Sequence, residues 1–292
     1  MSVSAVSLYQ RTRRYLRDYR DFDSITSAIT TTSATSVVVA DTTIYAARWP
    51  IEIDQETMIV KSITNATTMV VERGAYGSTA ATHLVNAPIL INPAFYGVEI
   101  LDALNEGIQA CYPLIYKRVI DTSITIAANT WEYTVPSMPG TYNGDTVQIP
   151  RIGEIEIQEP GVVPYFPTAA WSLRRGVEGG HKIKFQNLET TGATVRISGI
   201  GSFPDLADYT SSLDTSFPKQ AIYLPSLYAA ASLLMSGEAG RVRLTAGAVD
   251  TREQANRVGS SMSAGQNLMN RFLFELNRSS MEPPRPRIKQ RP

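Results

Sequence analysis

One stretch organises the first third of the sequence: Glu72-Arg73-Gly74-Ala75-Tyr76-Gly77-Ser78-Thr79-Ala80-Ala81-Thr82-His83. Gly74 and Gly77 can adopt the positive φ angles that a strand needs in order to turn sharply. Arg73 carries a forked set of donors that can bridge to a carboxylate or a carbonyl. The stretch therefore predicts a sharp turn in a β-domain, built on Arg73, Gly74, Tyr76 and Gly77.

The residues before this turn alternate between polar and apolar side chains. Residues 51–63 are predicted to form one strand and residues 69–73 its hairpin partner, with a turn at 64–68. Side chains alternate along a strand with a period of two, so this strand would carry three acids on one face: Glu52, Asp54 and Glu56. We interpret this face as solvated, and a calcium or acid site is the alternative. A Gly-rich surface loop of an ordinary β-domain is the alternative interpretation of the turn.

The order of these features resembles a known family. A strand with Gln55-Glu56, a strand ending in Arg73-Gly74, then residues 76–79 and His83 are similar to the small β-domain of head-tail connector (adaptor) proteins of tailed double-stranded DNA bacteriophages. The resemblance covers residues 50–88. It implies a structural virion protein, assembled in the host cytoplasm, that forms a ring beneath the portal and surrounds the DNA channel.

The resemblance also implies partners. They are the portal protein, tail or lower neck proteins, and neighbouring copies in a homo-oligomeric ring, a dodecamer that matches the twelve-fold portal of the family. Double-stranded DNA would pass close by without sequence-specific contacts.

Composition sets outer limits on function. The chain has 292 residues with 43% hydrophobic composition, enough for about two domains. Lys+Arg and Asp+Glu both number 27, so no global field attracts nucleic acid and electrostatic functions must be local. The single cysteine, Cys111, excludes an internal disulfide and fits a reducing compartment. We expect no signal peptide, because arginines follow the first residues at once.

Periodicity and turn residues predict an α+β protein in which a discontinuous helical bundle carries two inserted β-rich domains. The bundle takes residues 1–21, 93–121 and 215–278. A small β-domain takes residues 22–92, and a β-sandwich-like domain takes residues 122–205. An extended basic tail follows at 279–292.

Two amphipathic helices supply the predicted seam of the bundle. One helix runs from residue 95 to 120 with a kink at Pro113, and the other runs from 250 to 277. Their apolar residues recur at spacings of three and four: Leu101, Leu104, Ile108, Ile115, Val258, Met262, Met269, Phe272 and Leu276.

Basic residues concentrate at both ends of the chain. Near the N-terminus, Arg11, Arg13, Arg14 and Arg17 would line either the portal contact or the DNA channel, and the sequence leaves both open. Prolines keep the C-terminal tail extended, and we expect it to dock on the portal through Arg285, Arg287, Ile288, Lys289 and Arg291. A free solvated tail is the alternative.

A second function class is a tail or host-recognition component that binds carbohydrate through Trp131, Trp171 or Tyr165 in the second β-domain. An enzyme is not expected, because no nucleophile elbow, phosphate loop or paired-carboxylate motif occurs. The two histidines, His83 and His181, lie far apart and lack companions at metal-ligand spacing, so we expect no metal and no cofactor. The uncharged run 220–237 is interpreted as a buried helix rather than a membrane span.

Overall fold

The computed structural model describes residues 3–16, 22–142, 145–149, 151–177, 180–186, 189–245 and 260–281. They form an α+β protein, as predicted, and most of the regular structure is β. Its described helices are α1 (Ala5–Leu16), α2 (Gly97–Ala110), α3 (Leu224–Thr245) and α4 (Ser260–Arg278).

The chain divides into two compact units. The first comprises Met1–Gly107, Leu206–Leu213 and Ile222–Glu275. The second comprises Ile108–Asp205, Asp214–Ala221 and Leu276–Pro292.

An antiparallel six-stranded sheet forms the β-part of the first unit. Its strands in chain order are β1 (Phe22–Ser24), β2 (Ser36–Val38), β3 (Pro50–Ile53), β4 (Glu56–Asn65), β5 (Thr68–Glu72) and β6 (Pro88–Ile91). They lie in the spatial order β1-β6-β3-β4-β5-β2. One face covers a core of aliphatic residues that includes Ile25, Val37, Ile51, Met58 and Ile89, all completely buried.

The predicted long strand 51–63 is in fact two strands. β3 ends at Ile53 and β4 begins at Glu56, and the two pair with Ile53 opposite Glu56. Asp54 and Gln55 form the connection with φ angles of 46° and 74°, the left-handed geometry of a tight hairpin. The sequence concealed this turn because neither residue is the glycine that such a turn prefers. The second hairpin is confirmed, since β4 pairs with β5.

The sharp turn after β5 is also confirmed. Gly74 and Gly77 have φ angles of 61° and 82°, and a short 3-10 turn spans Ala75–Gly77. Tyr76 itself takes a φ of 51°. Its half-exposed ring stacks on Tyr96, with 4.3 Å between the ring centroids.

Helices α1, α2 and α4 each approach α3 within the first unit. Ser226 of α3 donates to the Leu8 carbonyl of α1 at 3.1 Å. Two glycines permit the other close approaches, because a Cβ on Gly107 of α2 would lie 2.8 Å from the Pro225 carbonyl oxygen, and one on Gly265 of α4 would lie 3.0 Å from that of Ala231. Helix α3 is largely apolar and buried, as predicted for the uncharged run.

Two helix boundaries differ from prediction. Helix α2 stops at Ala110, and strand β7 (Lys117–Thr125) occupies residues expected to continue the helix beyond a kink. Pro113 removes a backbone donor and its ring clashes with the preceding turn, so the helix ends before it instead of bending. Conversely, α3 continues to Thr245 through Gly237, because helical glycine costs only about 1 kcal/mol.

Two sheets and a hairpin make up the β-part of the second unit. Besides β7, the strands are β8 (Glu132–Thr134), β9 (Ser137–Tyr142), β10 (Asp145–Gln148), β11 (Arg151–Gln158), β12 (Phe166–Thr168), β13 (Trp171–Val177), β14 (Gly180–Phe185) and β15 (Thr194–Gly201). The sheets have the orders β12-β11-β15-β7 and β13-β14-β8, and β9 pairs with β10. One hydrophobic core draws residues from both sheets, including Ile155 and Ile197 on one and Phe185 on the other.

Candidate functional site

A buried carboxylate lies at the centre of the turn that follows β5. Glu56, at the start of β4, is 2% exposed and accepts five hydrogen bonds. Its Oε1 accepts from Arg73 Nε at 2.7 Å and from the Gly74 amide at 3.0 Å. Its Oε2 accepts from Arg73 Nη2 at 2.8 Å, the Ala81 amide at 2.9 Å and His83 Nε2 at 2.8 Å. We refer to Glu56, Arg73, His83 and Asp54 as the Glu56 cluster.

Arg73 uses all of its donors inside the fold. Nε and Nη2 grip the Glu56 carboxylate in a bidentate pair. Nη1 donates to the carbonyls of Ala34 at 2.7 Å and Thr31 at 3.3 Å, and Nη2 also donates to the Ala81 carbonyl. A guanidinium has five N–H groups, so none remains for an external ligand. The expected bridge from Arg73 to a carboxylate and carbonyls is therefore present.

His83 connects the segment around Ile29 to the β3–β4 hairpin. Its backbone forms a two-way bridge with Ile29, with both N–H to O distances at 2.9 Å. Its imidazole lies between two carboxylates, with Nδ1 3.0 Å from Asp54 and Nε2 2.8 Å from Glu56. The ring is completely buried, whereas the Asp54 side chain is half-exposed. The left-handed turn at Asp54 thus places its carboxylate against His83.

The electrostatics of the cluster favour charged partners. Burial opposes ionisation of Glu56, but hydrogen bonds from Arg73, His83 and the Ala81 and Gly74 amides outweigh it and hold its pKa at about 2. Burial also opposes protonation of His83, yet hydrogen bonds to Glu56 and Asp54 raise its pKa above the usual 6.5. A protonated imidazole donates from both nitrogens, which satisfies both carboxylates.

A second buried carboxylate, Glu52 on β3, binds helix α1. It is 3% exposed and accepts from Arg13 Nη2, which lies 3.0 Å from each of its oxygens, from the Tyr9 hydroxyl, and from the Gly97 amide at 2.9 Å. Arg13 Nε also donates to the Tyr9 hydroxyl at 2.8 Å. We refer to Glu52, Arg13 and Tyr9 as the Glu52 cluster.

A second tyrosine extends the Glu52 cluster. Tyr209 packs edge-on against Tyr9, with 5.1 Å between the ring centroids, and donates to the Gly97 carbonyl at 2.5 Å. Burial, followed by the charge of Glu52, raises the pKa of Tyr9, and burial raises that of Tyr209. Both phenols stay protonated and serve as hydrogen-bond donors.

These clusters correct two expectations. The acidic face of the first hairpin is not solvated, because Glu52 and Glu56 are buried and paired; only Asp54 keeps an exposed side chain. Arg13, expected at a DNA or portal surface, is 5% exposed and its guanidinium is held by Glu52. The prediction of one shared face is also wrong. The hairpin pairs Glu52 with Thr57 and Ile53 with Glu56, so Glu52 and Glu56 lie on opposite faces of the sheet, one covered by helix α1 and the other by the turn after β5.

The other N-terminal arginines differ in their placement. Arg14 is exposed and Arg11 half-buried on the outward side of α1. Arg17 lies outside the described residues, as do all the predicted docking residues of the tail: Arg285, Arg287, Ile288, Lys289 and Arg291.

The residues of the predicted bundle seam differ in burial. Leu104, Ile108, Ile115, Phe272 and Leu276 are buried. Leu101 and Met269 are half-buried, and Val258 lies outside the described residues. Two expectations are wrong: Met262 is 47% exposed, and Ile115 follows the end of α2 instead of lying on it. Helix α4 approaches α3 through Gly265, one turn after Met262, and this contact leaves the Met262 side chain exposed.

The three aromatic candidates of the second unit are not equivalent. Trp171 packs against the core, and the Tyr165 ring is covered by Arg196, whose Cζ lies 4.3 Å from the ring centroid. Trp131 is 40% exposed and lines a groove of about 700 Å³ together with polar residues that include Asn129 and Lys184.

Within the described residues, no group of three or more His, Cys, Asp or Glu side chains is arranged to hold a metal ion. No helix in the described part of the chain is long and apolar enough to cross a membrane. The titratable groups of both clusters are paired with protein partners, an arrangement that holds chain segments together.

No family model, curated protein or solved structure matches this chain.

Proposed function

We propose that this protein is a structural, non-enzymatic virion subunit that forms a ring connecting the capsid portal to the tail around the DNA exit channel. One observation carries the proposal. The stretch that resembles phage connectors forms a closed unit in which Glu56, Arg73 and His83 direct their polar groups to one another and to the backbone. Such a site fixes the shape of a domain and leaves no group poised for turnover.

The proposal includes the finer organisation. Segments 1–21, 93–110 and 215–278 would form one discontinuous helical bundle, into which the small β-domain 22–92 and a sandwich-like domain that begins with strand β7 are inserted. The close contacts of α3 with α1, α2 and α4 support this organisation. In a ring, the bundle would make the contacts between neighbouring copies.

The proposed partners follow from the same arrangement. The portal protein would bind the basic tail, and tail or lower neck proteins would bind the opposite end of the ring. Each tail contributes little alone, but a dodecamer presents many copies at once, and avidity makes the joint stable. Double-stranded DNA would pass through the channel without base-specific contacts.

The connector function is tested by mixing the purified full-length chain with portal-bearing capsids that lack a tail. We expect stoichiometric co-sedimentation with the capsids. Capsids without a portal are the matched control, since a surface contact unrelated to the portal would persist on them. Absence of co-sedimentation with portal-bearing capsids contradicts the connector function.

The docking role of the tail needs its own variant. A chain lacking residues 282–292 is expected to melt like the full chain but to lose attachment to the portal. Unchanged attachment would assign docking to another segment and leave the connector function intact.

Carbohydrate binding is a second candidate because the Trp131 groove combines an exposed aromatic face with polar neighbours. The test is glycan binding by the full chain and by Trp131→Ala. Trp49→Ala is the matched control, since Trp49 is 41% exposed but lies in the first unit. Specific binding that only the Trp131 variant loses would favour host recognition; no binding would remove this candidate.

A further inference from the structure

The charges of two helices in the first unit are separated by sign. Helix α1 contains Arg11, Arg13 and Arg14 and no acidic residue. Helix α2 contains Glu99, Asp102 and Glu106 and no basic residue. Solvated helix faces usually mix both signs, which keeps local fields small. Two helices of opposite sign within one unit therefore suggest complementary binding faces.

The acidic face is formed by the outermost residues of α2. Glu99, Asp102 and Glu106 are the exposed residues of this helix, and their spacing of three and four places them in one stripe. Glu99 accepts a hydrogen bond from the Tyr96 amide at 2.9 Å and so caps the helix. Asp102 and Glu106 form no ion pair within the described part of the chain.

The two remaining carboxylates are unfavourable for their own helix. Like charges four residues apart repel each other. An external cation at this face would relieve this repulsion.

The basic face of α1 matches this requirement. Arg11 and Arg14 lie three residues apart on the outward side, and neither forms an ion pair among the described residues. At a rise of about 1.5 Å per residue, they are separated by about 4.5 Å along the axis, and Asp102 and Glu106 by about 6 Å. The two pairs can therefore meet one to one across an interface.

We propose that Arg11 and Arg14 of one copy bind Asp102 and Glu106 of a second copy. The inference rests on the proposed ring function, because it supplies the head-to-tail contact that such a ring requires. The two faces belong to different helices, so each contact leaves one basic and one acidic face free for the next copy. The formal net charge is zero, so copies have no net charge that would keep them apart.

The experiment is sedimentation equilibrium of the full chain with paired charge reversals. One variant is Arg11→Glu/Arg14→Glu, and the other is Asp102→Arg/Glu106→Arg. We expect the wild-type chain to self-associate, and to do so more weakly at high salt. Each reversed variant should associate at least about tenfold more weakly than wild type, because pairs of opposite charge become pairs of like charge. Association should return in an equimolar mixture of the two variants and in the chain carrying all four changes.

Two controls separate charge from fold. Arg151→Glu/Lys219→Glu changes the net charge as much as the α1 variant, at exposed positions of the second unit, and should leave self-association unchanged. Each variant is checked by thermal melting. Should a reversal unfold the chain, Arg11→Gln/Arg14→Gln and Asp102→Asn/Glu106→Gln take its place, with a smaller loss expected from each.

The inference is overturned by a wild-type chain that stays monomeric, by reversals that leave association unchanged, or by a mixture that fails to regain it. Portal attachment, measured on the same preparations, distinguishes the two proposals. Attachment without the reversal pattern leaves the connector function standing and removes this contact. The reversal pattern without attachment supports the contact and removes the connector function.

Discussion

Arg13 and Glu52 form a buried ion pair that links helix α1 to strand β3 across 39 residues of sequence, with Arg13 Nη2 3.0 Å from each carboxylate oxygen. Neither residue is more than 5% exposed. A charge in the interior is tolerated only when its partners are complete, and here the Tyr9 hydroxyl and the Gly97 amide complete the set around Glu52.

Replacing Arg13 by methionine should therefore destabilise the fold strongly. The aliphatic volume is retained, but the Glu52 carboxylate loses its counter-charge, at a cost of about 3–5 kcal/mol in the free energy of unfolding. Urea unfolding followed by circular dichroism measures the change. Gln10→Met is the control at an exposed position of α1 and should lie within about 0.5 kcal/mol of wild type. Similar effects of both variants would contradict the buried pair.

Arg73→Lys tests whether fork geometry or charge holds the Glu56 cluster. Lysine keeps the charge but has three donors on one nitrogen, so it cannot serve the Glu56 carboxylate and the Ala34, Thr31 and Ala81 carbonyls together. We expect a loss of about 2–3 kcal/mol in the free energy of unfolding, the worth of a charged hydrogen bond left unmade. Urea unfolding of this variant at neutral pH provides the measurement. A loss below about 0.5 kcal/mol, the scale of an ordinary surface substitution, would show that the forked geometry of the Arg73 guanidinium does not hold the cluster.

The Glu56 cluster should make stability depend on pH in two directions. The folded pKa of His83 is raised above 6.5, so its contribution is fully present below 6.5 and is lost as pH rises through the raised value. Glu56 has a folded pKa of about 2 against an ordinary 4.5, so its contribution is present above 4.5 and is lost as pH falls towards 2. The cluster should therefore stabilise most between pH 4.5 and 6.5.

The His83 half of this profile is isolated with His83→Gln. The difference in unfolding free energy between wild type and variant should be larger at a pH of about 5.5 than at about 9, since only wild type loses a proton from the cluster. His181→Gln, at the other histidine of the chain, is the matched control. A difference that is constant with pH would mean that His83 is neutral throughout.

Two neighbouring phenylalanines on α4 test which side of this helix is buried. Phe272 is 2% exposed and meets Tyr228 edge-on at 5.3 Å between ring centroids, whereas Phe274 is 67% exposed. Phe272→Asp should lower the unfolding free energy by about 3–5 kcal/mol or unfold the first unit, because it leaves a cavity and buries a carboxylate. Phe274→Asp should change it by less than about 0.5 kcal/mol. Thermal melting of the pair reports the difference; equal effects would contradict this orientation.

Local chemistry made part of the structure predictable. The positive φ angles of Gly74 and Gly77, the β4–β5 hairpin and the bridging role of Arg73 all follow from residue type and spacing. These features depend on contacts between residues close in sequence, or on what a glycine or guanidinium can do anywhere.

Features that depend on distant partners were not predictable. Nothing near Glu52 in the sequence shows that Arg13 covers it, and nothing near Asp54 shows that His83 stabilises a left-handed turn made without glycine. The pattern of apolar residues on α4 included Met262, but the contact of Gly265 with α3 turns that residue towards solvent. In each case the structure depends on contacts between residues distant in sequence, which the local pattern does not record.

The acceptors of Arg73 all lie between Thr31 and Ala81. The ribosome synthesises the chain from the N-terminus to the C-terminus, so all of these groups have been made before helix α2 begins. The turn after β5 can therefore close on the nascent chain, and the later helices meet a β-domain in which the buried charge of Glu56 already has its partners.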